Sequence, residues 1–245
     1  YLITYRAYFK KDAFSFADSN VYLMPSDFSV LWCKDAPDSN LSDILISNFE
    51  SLSPAQIETA LDYLRKRNPH LTDECVFSVR DAIPVRYPLA TIVADGYCLI
   101  GNSAFMTKPT SGSGIENTLK AAVILFETIS NITDFTAKSL WKYAVKANNS
   151  FGVNCYMSYI ARSKFQNIDR DNLIWLFTSG ILNEHLLALV RLEIRKTPNF
   201  KLESILNSLQ LAKSNPEFIK QIEDIIKLCV KGNILARRMP RVYNE

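Results

Sequence analysis

Glycine is scarce in this sequence, with seven residues in 245, less than half of what average composition would place there. Histidine is scarcer, at two residues, His70 and His185, and neither has a cysteine or carboxylate partner at ligand spacing. A zinc centre is thereby disfavoured, and so is a Ser-His-Asp hydrolase, since no G-x-S-x-G elbow occurs either. The five cysteines (Cys33, Cys75, Cys98, Cys155, Cys229) stand singly, with no C-x-x-C pair. That spacing points to no metal site and to a reducing, cytoplasmic compartment. No apolar stretch approaches the ~20 residues that cross a bilayer as a helix. Net charge is +3, too mild to argue for a nucleic-acid partner.

What is present falls into two textures. Up to about residue 100, short runs rich in aromatic and β-branched residues alternate with polar breaks. "YLITYRAYF", "NVYLM", "FSVLWC", "CVFSV" and "GYCLIG" read as strands. Between them, "PAQIETALDYLRKRNP" carries Ile57, Leu61 and Leu64 at helical spacing, with Pro54 in the first turn and Pro69 closing the segment. Helices are expected across 41–68. From Ile115 onward every periodic segment is helical, with Thr133 or Asp134 as N-cap of the helix through "TAKSLWKYAVKA". The expected class is α+β: an antiparallel sheet from about 1–35 and 75–90, then a strand–loop–helix unit, then a helical C-terminal region. The chain opens on a strand without a methionine, which suggests the later part of a longer protein.

Four of the seven glycines, Gly96, Gly101, Gly112 and Gly114, fall within nineteen residues. They lie between a short strand, "DGYCLIG", and the helix "IENTLKAAVILFETI". A helix start offers unpaired N–H groups and the positive end of the dipole. Glycines there permit close approach of a phosphate, a carbonyl or a delocalised anion. Glycine clustering alone fits a tight turn equally well.

The order of residues is more specific. Asp95-Gly96, an apolar strand, Gly101-Asn102-Ser103-Ala104, Pro109 and Gly112-Ser113-Gly114 resemble the second flavin-binding motif of the FAD-dependent oxidoreductases. Within that group the sequence resembles the geranylgeranyl reductases, the archaeal ones especially. Pro84, Arg86 and Pro88 resemble a P-x-R-x-P segment; Tyr22 to Pro25 resemble the end of an aromatic strand over the substrate. Leu140, Trp141 and Gly152 resemble the opening and close of the first C-terminal helix.

The resemblance implies three parts: residues 1–89 as a substrate-binding sheet with helices, 90–130 as the returning segment of an FAD-binding domain, and 131–245 as a helical domain. It implies FAD as cofactor, contacted by Arg86, Gly101, Asn102, Pro109, Gly112, Ser113, Gly114 and Ile115. It implies flavin-dependent reduction of C=C bonds in an isoprenoid chain of a lipid or diphosphate, with ferredoxin or NAD(P)H as electron donor. Substrate contacts are expected from Tyr22, Met24, Trp32 and Phe105, with Tyr5, Phe28 and Pro109 nearby. Alternation favours Tyr22, Met24 and Trp32 on one face, and Tyr22 is a proton-donor candidate by position. The family acid after the first glycine is Asn102 here, which can still accept a hydrogen bond but carries no charge. The dinucleotide fingerprint G-x-G-x-x-G does not occur and is expected before Tyr1. Another FAD-dependent oxidoreductase, of monooxygenase or halogenase type, and a non-catalytic domain retaining the fold are the alternatives.

The C-terminus places Lys227, Lys231, Arg237, Arg238 and Arg241 beside Leu228, Ile234 and Leu235. Such a cluster suits either a solvated face or peripheral contact with a membrane.

Overall fold

The computed structural model describes residues 1–12, 20–22, 30–36, 40–179 and 214–243. The chain divides into two compact units, Tyr1–Val85 and Arg86–Glu245. The segments 90–130 and 131–245 both fall in the second. The class is α+β, an antiparallel sheet plus helices.

The first unit is built on strands β1 (Leu2–Lys11), β2 (Asn20–Tyr22), β3 (Val30–Asp35), β4 (Leu41–Asn48) and β5 (Leu71–Ile83), with helix α1 (Pro54–Arg67) before β5. The strands form one antiparallel sheet in the order β2-β3-β4-β1-β5. Residues 41–48 are therefore a strand, not the helix expected there. Ile44 and Ile46 are β-branched, and β4 is paired on both sides, so its middle is buried throughout.

Helix α1 starts at a capping box. The Ser53 hydroxyl accepts from Gln56 N, and the Gln56 side chain accepts from Ser53 N. Its apolar side, Ile57, Ala60, Leu61 and Leu64, packs with Ala7, Phe9, Leu31, Cys33, Ile44 and Ile46 from one face of the sheet. Register assigns the other face: Trp32, Leu45, Arg6 and Val79 lie side by side across four strands, and Lys34, Asp43, Tyr8 and Phe77 form the next row.

The second unit opens with a hairpin of β6 (Val93–Ala94) and β7 (Tyr97–Cys98). Helices α2 (Ile115–Ile129), α3 (Ala137–Ala147), α4 (Val153–Phe165), α5 (Arg170–Thr178) and α6 (Pro216–Ala236) follow. Among the described residues no strand occurs after Cys98. The N-cap of α3 is Thr136, whose hydroxyl accepts from Ser139 N, rather than Thr133 or Asp134. Asp134 instead accepts from the Thr136 hydroxyl and holds it in place. One π-helical turn, Asn148–Gly152, joins α3 to α4. Met106, Ala121, Leu140, Tyr143, Phe151 and Cys155 share a buried core, and Ile168, Leu176, Phe218 and Ile225 form a second around α5 and α6.

Candidate functional site

The glycine-rich stretch folds as hairpin, tight turn, loop and helix start. The Asp95 carboxylate accepts from Ala137 N at 2.7 Å, and Gly96 N donates to Phe135 O at 2.6 Å. The acid–glycine turn thus fixes the hairpin to the first turn of α3. The Tyr143 hydroxyl donates to Leu99 O at 2.8 Å and holds the segment that follows β7. From there residues Gly101–Ala104 make a 3₁₀ turn. Phe105 exits that turn at φ 53°, a left-handed conformation unusual for a side chain of its size. Backbone bonds from Phe105 N to Asn102 O and from Met106 N to Gly101 O hold it there, each 3.1 Å.

Residues 107–114 form the loop itself. Gly112 has φ 69°, which an L side chain adopts only with strain. Gly112 N donates to Lys108 O, and Lys108 N donates to Ser113 O, so the loop is closed on itself. Pro109 is buried while Ser113 is exposed. Gly114 is the N-cap of α2 and leaves it without a side-chain cap. A Cβ at Gly114 would lie 2.9 Å from Thr107 Oγ1. A side chain there would have to displace the Thr107 hydroxyl, and no side chain caps the start of α2, where Ile115 is exposed.

Charge at this helix start is arranged in a chain. Glu116 bridges Lys108 at 2.8 Å and Lys120 at 2.5 Å, and these two ammonium groups hold its carboxyl down at about 2. The negative charge in the first turn is thus neutralised by its neighbours. Arg86 stands apart. Its guanidinium lies 4.9 Å from the Tyr87 ring centroid and 4.9 Å from that of Phe105. Among the described residues it pairs with no carboxylate. Asn102 differs from the expectation in one respect: its Oδ1 already accepts from the Thr107 hydroxyl at 2.8 Å. The oxygen is thus partly engaged, and the amide N–H₂ is available as a donor.

The structure brings Gly101, Asn102, Pro109, Gly112, Ser113, Gly114 and Ile115 into one continuous segment and sets Arg86 against Phe105. In the first unit it separates residues expected together. Tyr22 is the register partner of Leu31 and faces α1. Its ring is edge-on to Tyr63 at 5.7 Å, and its hydroxyl accepts from Asn68 Nδ2 at 3.3 Å. Trp32 lies on the opposite face, under the Lys34 ammonium at 5.3 Å. Both numbers are even, but β2 and β3 pair with an odd register sum, so equal parity means opposite faces. Met24 and Phe28 lie outside the described residues. Tyr5 also faces α1, as partner of Ile46.

Sequence reasoning missed the charged cluster on the outer face of the sheet. Arg6 makes a two-pronged contact to Asp43, at 2.9 and 2.8 Å, and Lys34 approaches the same carboxylate at 3.5 Å. Asp43 is buried, and its attraction raises the Arg6 guanidinium further above its ordinary range. The signal available was an aspartate inside the apolar run "LSDILIS", which needs a buried partner if that run is a central strand.

No family model matches the sequence. Among curated proteins, it is 26% identical over 120 residues to digeranylgeranylglycerophospholipid reductase 1 of Methanococcoides burtonii, covering 48% of this chain and 29% of that protein. It is 28% identical over 109 residues to digeranylgeranylglycerophospholipid reductase of Sulfolobus acidocaldarius, covering 42% and 23%. Among solved structures, a geranylgeranyl bacteriochlorophyll reductase-like protein of Thermoplasma acidophilum superposes with a TM-score of 0.61 at 18% identity, over 91% of this chain and 54% of that one. In each case the alignment spans little more than half of the other protein, or less. The chain is thus similar in sequence to the digeranylgeranylglycerophospholipid reductases and shares its fold with a geranylgeranyl bacteriochlorophyll reductase-like protein.

Proposed function

We propose that this chain supplies the ring-side and ribityl-side contacts of an FAD site, and a substrate-covering sheet, in a reductase of isoprenoid C=C bonds. The observation that carries the reading is the segment 95–115: a positive-φ glycine loop running into a helix start that a Cβ would obstruct at Gly114 and that no side chain caps. Similarity to the digeranylgeranylglycerophospholipid reductases supports it.

The residues fit the cofactor. Gly112 lets the loop turn at positive φ, Gly114 lets it close on Thr107 without capping α2, and the dipole of α2 favours negative charge at that helix start. Asn102 would donate to a ribityl oxygen, and Arg86, held by two aromatic rings, would add a cation. When bound and reduced, FAD would supply the hydride for one alkene carbon, with a proton from an acid or from solvent completing the other. The sheet's part is to hold an apolar chain and exclude water. Its outer face offers Trp32, Tyr8, Val79 and Phe77 for this, around the paired Arg6, Asp43 and Lys34, and the substrate contacts are proposed there rather than at Tyr22. Tyr22, the proton-donor candidate, lies on the α1 side of the sheet, away from this outer face.

A second reading, a fold that has lost the cofactor, is favoured by one observation: the Asn102 oxygen is taken by Thr107. Visible absorbance separates the two. A version of the protein extended to the full length of the relatives should carry yellow flavin after gel filtration, and residues 1–245 should carry little. Incubation of the extended protein with dithionite and a geranylgeranyl lipid should add hydrogen mass to the chain. Flavin without any such mass gain, together with turnover of an aromatic substrate, would move the protein to another flavoenzyme class. Absence of flavin from both versions would leave the cofactor-free reading.

A further inference from the structure

Helix α6 is apolar on two opposite sides. Its inner side carries Phe218, Ile225 and Gly232, where a Cβ would lie 2.4 Å from Ile160 Cδ1 of α4. Its outer side carries Ile226, Val230, Ile234 and Leu235, each about half exposed. A helix with an apolar stripe on both sides has packed one and left the other for something else. Here Lys227, Lys231 and Arg238 share the outer stripe, and the seven residues line an open groove of about 470 Å³. Among the described residues no carboxylate lines it. Lys227 is held by Glu223 and Asp224 one turn earlier, whereas Lys231 and Arg238 have no acidic partner among the described residues.

The stripe is presented rigidly. Asn148 Nδ2 donates to Ala236 O at 2.9 Å, and Trp141 Nε1 donates to Pro240 O at 2.9 Å. Trp141 also stacks edge-on with Tyr243 at 5.5 Å. These contacts fasten the C-terminal end of α6 to α3 and the π turn with its outer side exposed.

We infer that the outer side of α6 is a docking surface for an anionic lipid membrane, with Ile226, Val230, Ile234 and Leu235 entering the headgroup boundary and Lys227, Lys231 and Arg238 meeting lipid phosphates. Charge complementarity selects this occupant. A second copy of the same stripe would oppose Lys231 and Arg238 to their own kind, and two cations without an acidic partner among the described residues, beside four aliphatic residues, match the composition of interfacial helices. No helix among the described residues is long and apolar enough to cross a membrane, so contact through α6 would be peripheral. The inference stands apart from the flavin reading and is tested without it.

The test is cosedimentation of the 245-residue chain with vesicles of phosphatidylcholine alone and of phosphatidylcholine mixed with phosphatidylglycerol. The mixed vesicles should bind the protein, the neutral ones far less, and added salt should weaken binding. The triple variant Lys227→Gln, Lys231→Gln, Arg238→Gln should lose at least about tenfold in partitioning. A control triple that removes equal charge elsewhere, Lys66→Gln, Lys138→Gln, Lys142→Gln, should bind as the parent does. Ile226→Ser with Ile234→Ser should also weaken binding, with the helical circular-dichroism signal unchanged. Equal loss in both charge triples would show general cationic adsorption and overturn the assignment. So would absence of binding to the mixed vesicles, or a self-association that the serine variant abolishes.

Discussion

At Gly114 the space for a side chain is already taken by the Thr107 hydroxyl, and at Gly112 the backbone sits at φ 69°. These are two different reasons for the same residue type, and they predict different failures. Gly112→Val adds left-handed strain, of order 1–2 kcal/mol for an L residue and more when β-branched. Gly114→Val pushes Thr107 aside and breaks its bond to Asn102. Both should abolish flavin uptake by the extended protein while its circular-dichroism melt stays cooperative. Asn102→Asp should keep the Thr107 bond through one oxygen and free the other to accept from a ribityl hydroxyl. Its flavin affinity should stay within about tenfold of the parent, an energy of 1.4 kcal/mol. Titration of the apoprotein with FAD reads all three variants, and normal affinity in both valine variants would mean the loop faces no ligand. This segment was legible because its order of residues is local: turn, strand, loop and helix start follow within twenty-odd positions. The Asn102–Thr107 bond was not, since a sequence does not show which acceptor is already occupied.

Elements were legible where one periodicity held without interruption. Helix α1 and the later helices carry the 3.6-residue spacing of apolar positions, and the first turns of α1, α3, α5 and α6 bear proline or a capping residue. The missed element was β4, because a strand buried on both faces loses the alternation that marks a strand with one face in solvent. The face of Tyr22 was missed for a related reason. Parity can be carried along one strand, but a hairpin resets it, and only the register reveals by how much. One element invites a direct test. The capping box of α1 satisfies two N–H groups that otherwise point at solvent or nothing. Ser53→Ala should cost about 1 kcal/mol in urea unfolding, with no change in the slope against denaturant. Ser53→Asp should recover most of that loss, since an aspartate accepts the same N–H and complements the helix dipole. A loss under about 0.3 kcal/mol, the error of such a measurement, would show that solvent replaces the cap.

Across the whole molecule, the buried thiols make stability depend on alkaline pH. Cys33 in the first unit and Cys155 in the second are buried, with 0% and 1% of their surface exposed. Desolvation drives each thiol up from an ordinary 9 to about 11, with Asp35 and Asp43 adding to the effect at Cys33. Burial likewise pushes the Tyr143 hydroxyl from 10 to about 12. In each case the folded value lies above the unfolded one. Below pH 9 both states hold the proton, and the difference is silent. Between 9 and 11 the unfolded chain releases thiol protons that the folded chain must keep, so stability falls as pH rises. Two units of displacement correspond to about 3 kcal/mol per thiol, and Tyr143 extends the fall toward 12 in the second unit. Melting temperature followed by circular dichroism should therefore decline from about pH 9 onward, in a range where the ordinary carboxylates and histidines no longer titrate. Cys33→Ala should flatten the decline of whichever transition belongs to the sheet, and Cys155→Ala that of the helical unit, each at the expense of a lower melting temperature throughout. Cavities explain the uniform loss, whereas a changed slope against pH can come only from the missing proton. Slopes unchanged in both variants would place the alkaline sensitivity elsewhere and show that these thiols ionise as they would in water.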